Sequence, residues 1–388
     1  MQEIDVIDYH LHSLYSIPSS SLMDIPHMVE NAKLKGVTIL GTGDIFLPEW
    51  RKLLEGFLEY DNGFYYYEDF PFVLTGEVNL VFEKDNLKRF HIVLAYPAFK
   101  DVENFEQTFK NITSFNNIAR PNIRITPKEF LRRVRDVNPE IQIILAHIFT
   151  PHYGALGSSN GFRSISEIFE TDYIDNLFIE TGLSADPKMV YAIEELRQYP
   201  VLSSSDSHSP AHIGREATAT KLSKSFKELF ENLKDREKTF TIENFPQLGK
   251  YYLDGHRKCK FKTDDNSISL CPVCGKPLTK GVLHRVSELK DTRNNFSGIK
   301  YFYFIPLMQI LRKSYKKEHQ ERIYFELITE FGNELNVLLF SDIEDLSTIL
   351  NERAIIYLRA IREGNLTFDC GYDGVYGSWE GYGESRQE

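Results

Sequence analysis

The chain has 388 residues, of which 42% are hydrophobic and 26% charged, with a formal net charge of −11. This length accommodates one large core plus a smaller module, and no run of about 18 apolar residues offers a membrane span. The acidic balance argues against a nonspecific nucleic-acid coat, and four cysteines are too few for a disulfide scaffold.

The chain enters a strand pattern at once, with no apolar signal core, and a cytoplasmic location is expected. In "EIDVIDYHLHS" the strand side chains alternate faces, so His10 and His12 point the same way. Two neutral imidazoles aimed at one point suit a divalent metal. "DIPHMVENAKLKG" reads as a helix, with Asp24 as N-cap, Pro26 in the first turn and Gly36 just past the end. "VTILGTGD", "FVLTGEVNLVFE" and "RFHIVLAYP" read as buried strands. "TPKEFLRRVRDVNP" is a helix started at Thr126, and "IQIILAHIFTPH", "NLFIETGLSADP" and "YPVLSSSDSHSP" are strands with polar exits. Strands interleaved with helices predict a parallel sheet covered on both faces. No glycine-rich dinucleotide fingerprint follows the first strand.

Nearly every strand ends in a metal-capable side chain: His10 and His12, Asp44, Glu77, His91, His147, Glu180, and Asp206 with His208. In a closed α/β barrel the C-terminal strand ends converge on one rim, so residues distant in sequence would share one cavity. A His/Asp/Glu cavity without cysteine favours hydrolytic divalent metals, zinc, manganese, iron or magnesium, and so many ligands imply more than one ion. Adjacent metals suit attack at phosphorus, so phosphoester hydrolysis is the expected chemistry. Glu77, His147, Asp206 and His208 are its candidate catalytic residues.

Residues 216 to 250 read as helical and charged. In "HRKCKFKTDDNSISLCPVCGKPL", His256 with Cys259 and Cys271 with Cys274 form two pairs that could hold one structural zinc, with His284 as a competing fourth ligand. Residues 257 to 300 carry ten Lys/Arg against four Asp/Glu, the local excess a polyanion would seek. The segment from 286 onward reads as mainly helical, with its last ten residues disordered. In "GYDGVYG", aromatic rings between glycines offer flat stacking faces. The expected domains are 1–245, a metallohydrolase barrel; 246–286, a zinc module; and 287–388, a mainly helical unit with an aromatic tail.

The order HxH, Asp, Glu, His, His and "SDSH" resembles the polymerase and histidinol phosphatase (PHP) superfamily. With "LAHIFTP", "IETGLSADP", "IGREAT", the knuckle and "GYDGVYG", nearly the whole chain resembles the endonuclease Q family. The resemblance implies an α/β fold, a PHP-type distorted (β/α)7 barrel with an inserted zinc-knuckle module and a mainly helical C-terminal domain. It implies a nick 5′ to hypoxanthine, uracil or an abasic site in single- or double-stranded DNA, with Tyr372, Asp373 and Tyr376 as candidates for the pocket that reads the base. It makes His10, His12, Asp44, Glu77, His91, His147, Asp206 and His208 metal ligands, and Glu180 a ligand or a carboxylate that orients a histidine. Three positions depart from the family pattern: His256 stands for the usual first cysteine, Cys370 for a proline, and His152 for an aromatic. A small-molecule phosphatase of the same superfamily and an inactive DNA-binding module are the alternatives.

Overall fold

The computed structural model describes residues 4–115, 118–291 and 300–381. Seven strands form the staves of a curled sheet: β1 (Ile4–Asp8), β2 (Ile39–Gly41), β3 (Phe70–Lys84), β4 (Asn86–Tyr96), β5 (Gln142–Leu145), β6 (Leu177–Glu180) and β7 (Val201–Leu202). They lie side by side in chain order. The sheet curls until the exits of β1 and β7 meet at a parallel bridge between Leu11 and Ser207, where His12 N donates to Ser207 O at 2.9 Å. That closure gives the expected distorted α/β barrel, with one correction. The sheet is mixed rather than parallel, because β3 and β4 form a long antiparallel hairpin and β4 also pairs antiparallel with β5. The short link at Asp85 leaves no room for the crossover helix that a parallel pair requires.

The two strand faces divide the core. Ile7, Ile39, Val73, Val93, Ile144, Phe178 and Leu202 join Phe226, Leu229, Phe230 and Leu233 of the helix Phe226–Lys234 in one cluster. Glu77 follows Val73 by four residues and His91 precedes Val93 by two, so both share that inner face. The candidate site therefore stands over an apolar plug. The opposite face joins a larger cluster with the outer helices. In Pro127–Val137, for example, Pro127, Phe130 and Val134 form a buried stripe, and Thr126 caps the Glu129 N–H. In Ile25–Lys35, Asp24 accepts from His27 N and Gly36 ends the helix at φ 90°.

Segment 216–250 is not continuously helical. Ala217–Lys221 and Phe240–Asn244 are strands flanking the helix, and they extend the sheet antiparallel from β1. "ATATK" and "TFTIEN" alternate Thr and apolar residues, a strand period masked by the charged stretch between them. Residues Tyr301–Phe304 then add a parallel strand beside Phe240–Asn244, so the chain returns to the barrel sheet after position 287. Trp379, Ile361 and Leu358 belong to the same core cluster as the barrel's outer face, and the boundary at 287 does not separate two cores. The tail is also more ordered than its composition implies. Ser378–Gly381 pairs with Leu366–Asp369 and buries Trp379 to 3% exposure, which stabilises it by roughly 1.5–3 kcal/mol. The other residues assigned to the disordered tail, 382–388, lie outside the described residues.

Candidate metal centre

The strand exits are bent so that their side chains converge. Asp44, His147 and Asp206 take positive φ of 43°, 34° and 46°, costly for residues with a Cβ and here forced by the surroundings. Gly182 makes room for one of these turns, since a Cβ there would sit 2.5 Å from His147 Cβ. Asp8 ties the exit of β7 to β1, accepting from Ser205 N at 3.0 Å and Gly214 N at 2.9 Å.

Glu77 is the hub. His10 Nε2 and His12 Nε2 lie 3.5 and 3.4 Å from its Oε2, and His91 Nδ1 lies 2.6 Å from its Oε1. Glu77 and His91 are diagonal neighbours on the hairpin, because Asn79 pairs with His91. His147 Nε2 is 3.9 Å from Glu77 Oε1. Asp206 Oδ1 lies 3.2 Å from His12 Nε2, and the rings of His12 and His208 are 4.3 Å apart. Three sets of donor atoms thus lie close enough to grip an ion: His10, His12 and Glu77; Glu77, His91 and His147; and His12, Asp206 and His208. The buried His10 Nε2 and Asp206 Oδ1 have no hydrogen-bond partner among the described residues. Unpaired buried lone-pair atoms of this type fit the binding of divalent ions.

Asp44 and Glu180 stand behind this ring. Glu180 holds His10 Nδ1 with both oxygens at 3.0 Å. Asp44 Oδ1 takes His12 Nδ1 at 3.0 Å, and its Oδ2 takes Ser13 N and Oγ at 2.6 and 2.8 Å. Both carboxylates therefore orient the rings with Nε2 facing the centre, and neither belongs to the three groups of converging donor atoms.

Charge within the centre is balanced locally. Burial alone would lower the His10 and His12 pKa, but the carboxylates beside them, Glu180 and Glu77 for His10 and Asp44 for His12, raise it well above the usual value. Burial would likewise raise Glu77, yet Arg120, His91 and His10 hold it well below the carboxylate range. Burial takes His91 down to about 4. The buried carboxylates are thus held anionic by the cationic groups around them, positions that divalent ions could share or take over.

Sequence reasoning missed Arg120, whose Nε donates to Glu77 Oε2 and whose Nη2 lies 3.2 Å from His12 Nε2. It also missed Arg215, which donates to Ser205 O at 2.8 Å, Asp206 O at 3.3 Å and Tyr376 Oη at 3.3 Å. Tyr153 stacks on His91 with ring centroids 4.4 Å apart.

The second cluster is local. His256, Cys259, Cys271 and Cys274 place four donors within reach of one ion. Gly275, at φ 70°, donates to Cys271 O at 2.8 Å and closes the turn under the thiols. Burial resists ionisation of Cys271, but the Val273 and Cys274 N–H groups bring it down to about 7. His284 is taken by Asp254, Nδ1 to Oδ2 at 2.6 Å, and is not the fourth donor of the cluster.

The tail clamps this module. Asp373 accepts from Arg257 N and Thr279 Oγ1, each at 2.6 Å, so its carboxylate is a structural tie. Tyr372 lies against Gly255, where any Cβ would come within 2.3 Å of its ring, and Lys262 covers the ring at 5.3 Å. Tyr376 alone of the three keeps an open surface, being 50% exposed, with Lys250 Nζ 4.7 Å from its ring.

The fold matches solved structures along nearly the whole length of the chain. The lesion-specific endonuclease PfuEndoQ of Pyrococcus furiosus is 30% identical, with TM-score 0.86, over 98% of this chain and 96% of its own. An endonuclease Q bound to a 27-mer duplex substrate, with an abasic lesion at the active site, is 30% identical with TM-score 0.88 over 98% of both chains. The chain belongs to the endonuclease Q family. Protein YqxK of Bacillus subtilis is 29% identical over 363 residues, 90% of each chain. Protein MJ0043 of Methanocaldococcus jannaschii is 33% identical over 234 residues, 56% of this chain and 30% of that one. No protein-family model matches this member of the endonuclease Q family.

Proposed function

We propose that the protein is a metal-dependent DNA endonuclease that cuts the phosphodiester 5′ to a deaminated base, hypoxanthine or uracil, or to an abasic site. The observation that carries this reading is the Glu77 hub, one buried carboxylate shared by histidines from β4 and from the exits of β1 and β5. Two or three divalent ions held there by His10, His12, Glu77, His91, His147, Asp206 and His208 would activate water and neutralise phosphoryl oxygens. The protein's part is to hold those donors still. Glu180 and Asp44 fix the rings of His10 and His12, and Asp206 with His208 form the more exposed side, through which a phosphate reaches the centre.

A zinc in the cluster of three cysteines and one histidine would set the module beside the barrel and suits a reducing, cytoplasmic compartment. Arg257, Lys258, Lys260 and Lys276 are exposed on it and would hold backbone phosphates in a salt-dependent way. Tyr376, tied through Arg215 to the carbonyl of Asp206, is the side chain we assign to contact with the lesion nucleotide. A base that pairs poorly costs less to unstack, by a few kcal/mol at most, which favours lesions. Among the described residues no helix is long and apolar enough to cross a membrane.

The test is a labelled duplex with one deoxyinosine, deoxyuridine or abasic site, incubated with Mg²⁺, Mn²⁺ or EDTA. A metal-dependent nick immediately 5′ of the lesion, absent from the undamaged duplex, is expected. Phosphate release from a monoester without nicking would transfer the centre to the phosphatase reading.

A further inference from the structure

Arg120 is a cation in a centre built from carboxylates and imidazoles. It enters from an irregular segment before the strand Asn122–Arg124, outside the seven staves. Its Nε donates to Glu77, and its Nη2 lies 3.2 Å from His12 Nε2. The side chain is 34% exposed, whereas Glu77 is 2% exposed, so Arg120 lies on the solvent side of the hub. Among the described residues its Nη1 finds no acceptor.

We propose that Arg120 is a catalytic residue that receives the scissile phosphate, with Nη1 and Nη2 donating to nonbridging oxygens while Glu77 holds the guanidinium in place. This rests on the phosphodiesterase reading above. A guanidinium offers a planar pair of donors that fits two phosphoryl oxygens, and its charge is permanent. Negative charge on those oxygens grows as water attacks and the leaving oxygen departs with the bond electrons. A donor already in place at that moment stabilises the transition state more than the ground state. The plain structural alternative is that Arg120 merely neutralises Glu77.

The experiment compares full-length wild type, Arg120→Ala and Arg120→Lys, all loaded with Mn²⁺, on the lesion duplex. In Arg120→Ala, kcat is expected to fall about 100-fold with KM little changed, the scale of losing one transition-state donor. Metal content by elemental analysis stays at the wild-type value. The inhibition constant of inorganic phosphate rises by about tenfold, as for a lost charge-assisted hydrogen bond. Millimolar guanidinium restores part of the Arg120→Ala rate, while Arg120→Lys recovers little. A wild-type kcat in Arg120→Ala overturns the proposal. So does a loss of activity matched by loss of metal with the phosphate constant unmoved. If wild type cuts bis(4-nitrophenyl) phosphate but not the lesion duplex, only the lesion reading fails. The same comparison on that small diester then decides Arg120, and equal rates for wild type and Arg120→Ala would sink it.

Discussion

The two metal-capable clusters are built in opposite ways. In the barrel, donors as far apart as His10 and His208 arrive on separate strand ends, and His10, His12 and Glu77 are almost wholly buried. In the knuckle, all four donors fall within residues 256–274, and Cys274 is exposed. A packed sheet and an apolar plug hold the first cluster whether or not an ion is present. The second has two short strands, Asp254–His256 and Phe261–Thr263, and no core of its own beyond Cys271. The difference teaches which partner supplies the order: the fold arranges the barrel donors in advance, whereas an ion would order the knuckle.

The severest way to break this contrast is Glu77→Gln. Nicking is expected to fall by about 10³-fold or more, the scale of losing a principal catalytic group. Barrel metal should be lost and the knuckle zinc retained, which elemental analysis on the variant reads directly. Glu180→Gln touches only the hydrogen bonds behind His10, and the expected cost is about 10–100-fold in metal affinity. Titration with Mn²⁺ measures it, and an unchanged affinity would mean that the ring of His10 is held by packing alone.

Cys271→Ser combined with Cys274→Ser sharpens the other side. Zinc should drop by one ion per chain and lesion-duplex affinity by roughly tenfold, or about 1.4 kcal/mol. Hydrolysis of bis(4-nitrophenyl) phosphate should be unaffected, because the barrel does not depend on the knuckle for its shape. Equal losses on both substrates would show the two regions to be one cooperative unit.

The smallest effect concerns the floor beneath the barrel site. Glu243 and Glu216 are both buried, and Ser203 Oγ reaches each, at 3.0 and 3.3 Å. Burial raises both carboxyls, Glu243 to about 8, and Glu243 further raises Glu216. A carboxyl raised on folding contributes stability that is complete below its ordinary value and lost as pH climbs through the raised one. The melting temperature should therefore fall between pH 5 and 9. Glu243→Gln, which copies the protonated form, should flatten that fall, as thermal melts across the range would register.

Much of the centre was legible because strand exits follow apolar runs and because parity alone puts His10 and His12 on one side. The knuckle spacing was equally plain. The division of labour between ligand and orienting carboxylate was not, since Asp44 and Glu77 end similar "TGD" and "TGE" runs and differ only in where the backbone turns them. Arg120 was invisible for another reason: it sits in an irregular segment, with no periodicity to say which way it points. The strand Tyr301–Phe304 was hidden between helical patterns, and only its pairing with Phe240–Asn244 reveals it.

The hairpin of β3 and β4 carries a consequence for how this chain can change. Its ladder fixes Glu77 opposite Val93 and Asn79 opposite His91. Inserting or deleting one residue between those points would turn His91 to the outer face, because side chains alternate. Length can be altered freely only at the tip near Asp85, where the backbone already turns at φ 61°. Descendants of this sequence should therefore vary in hairpin length beyond the Asn79–His91 pair, by matched additions to both arms, and hold a constant count on the barrel side of it.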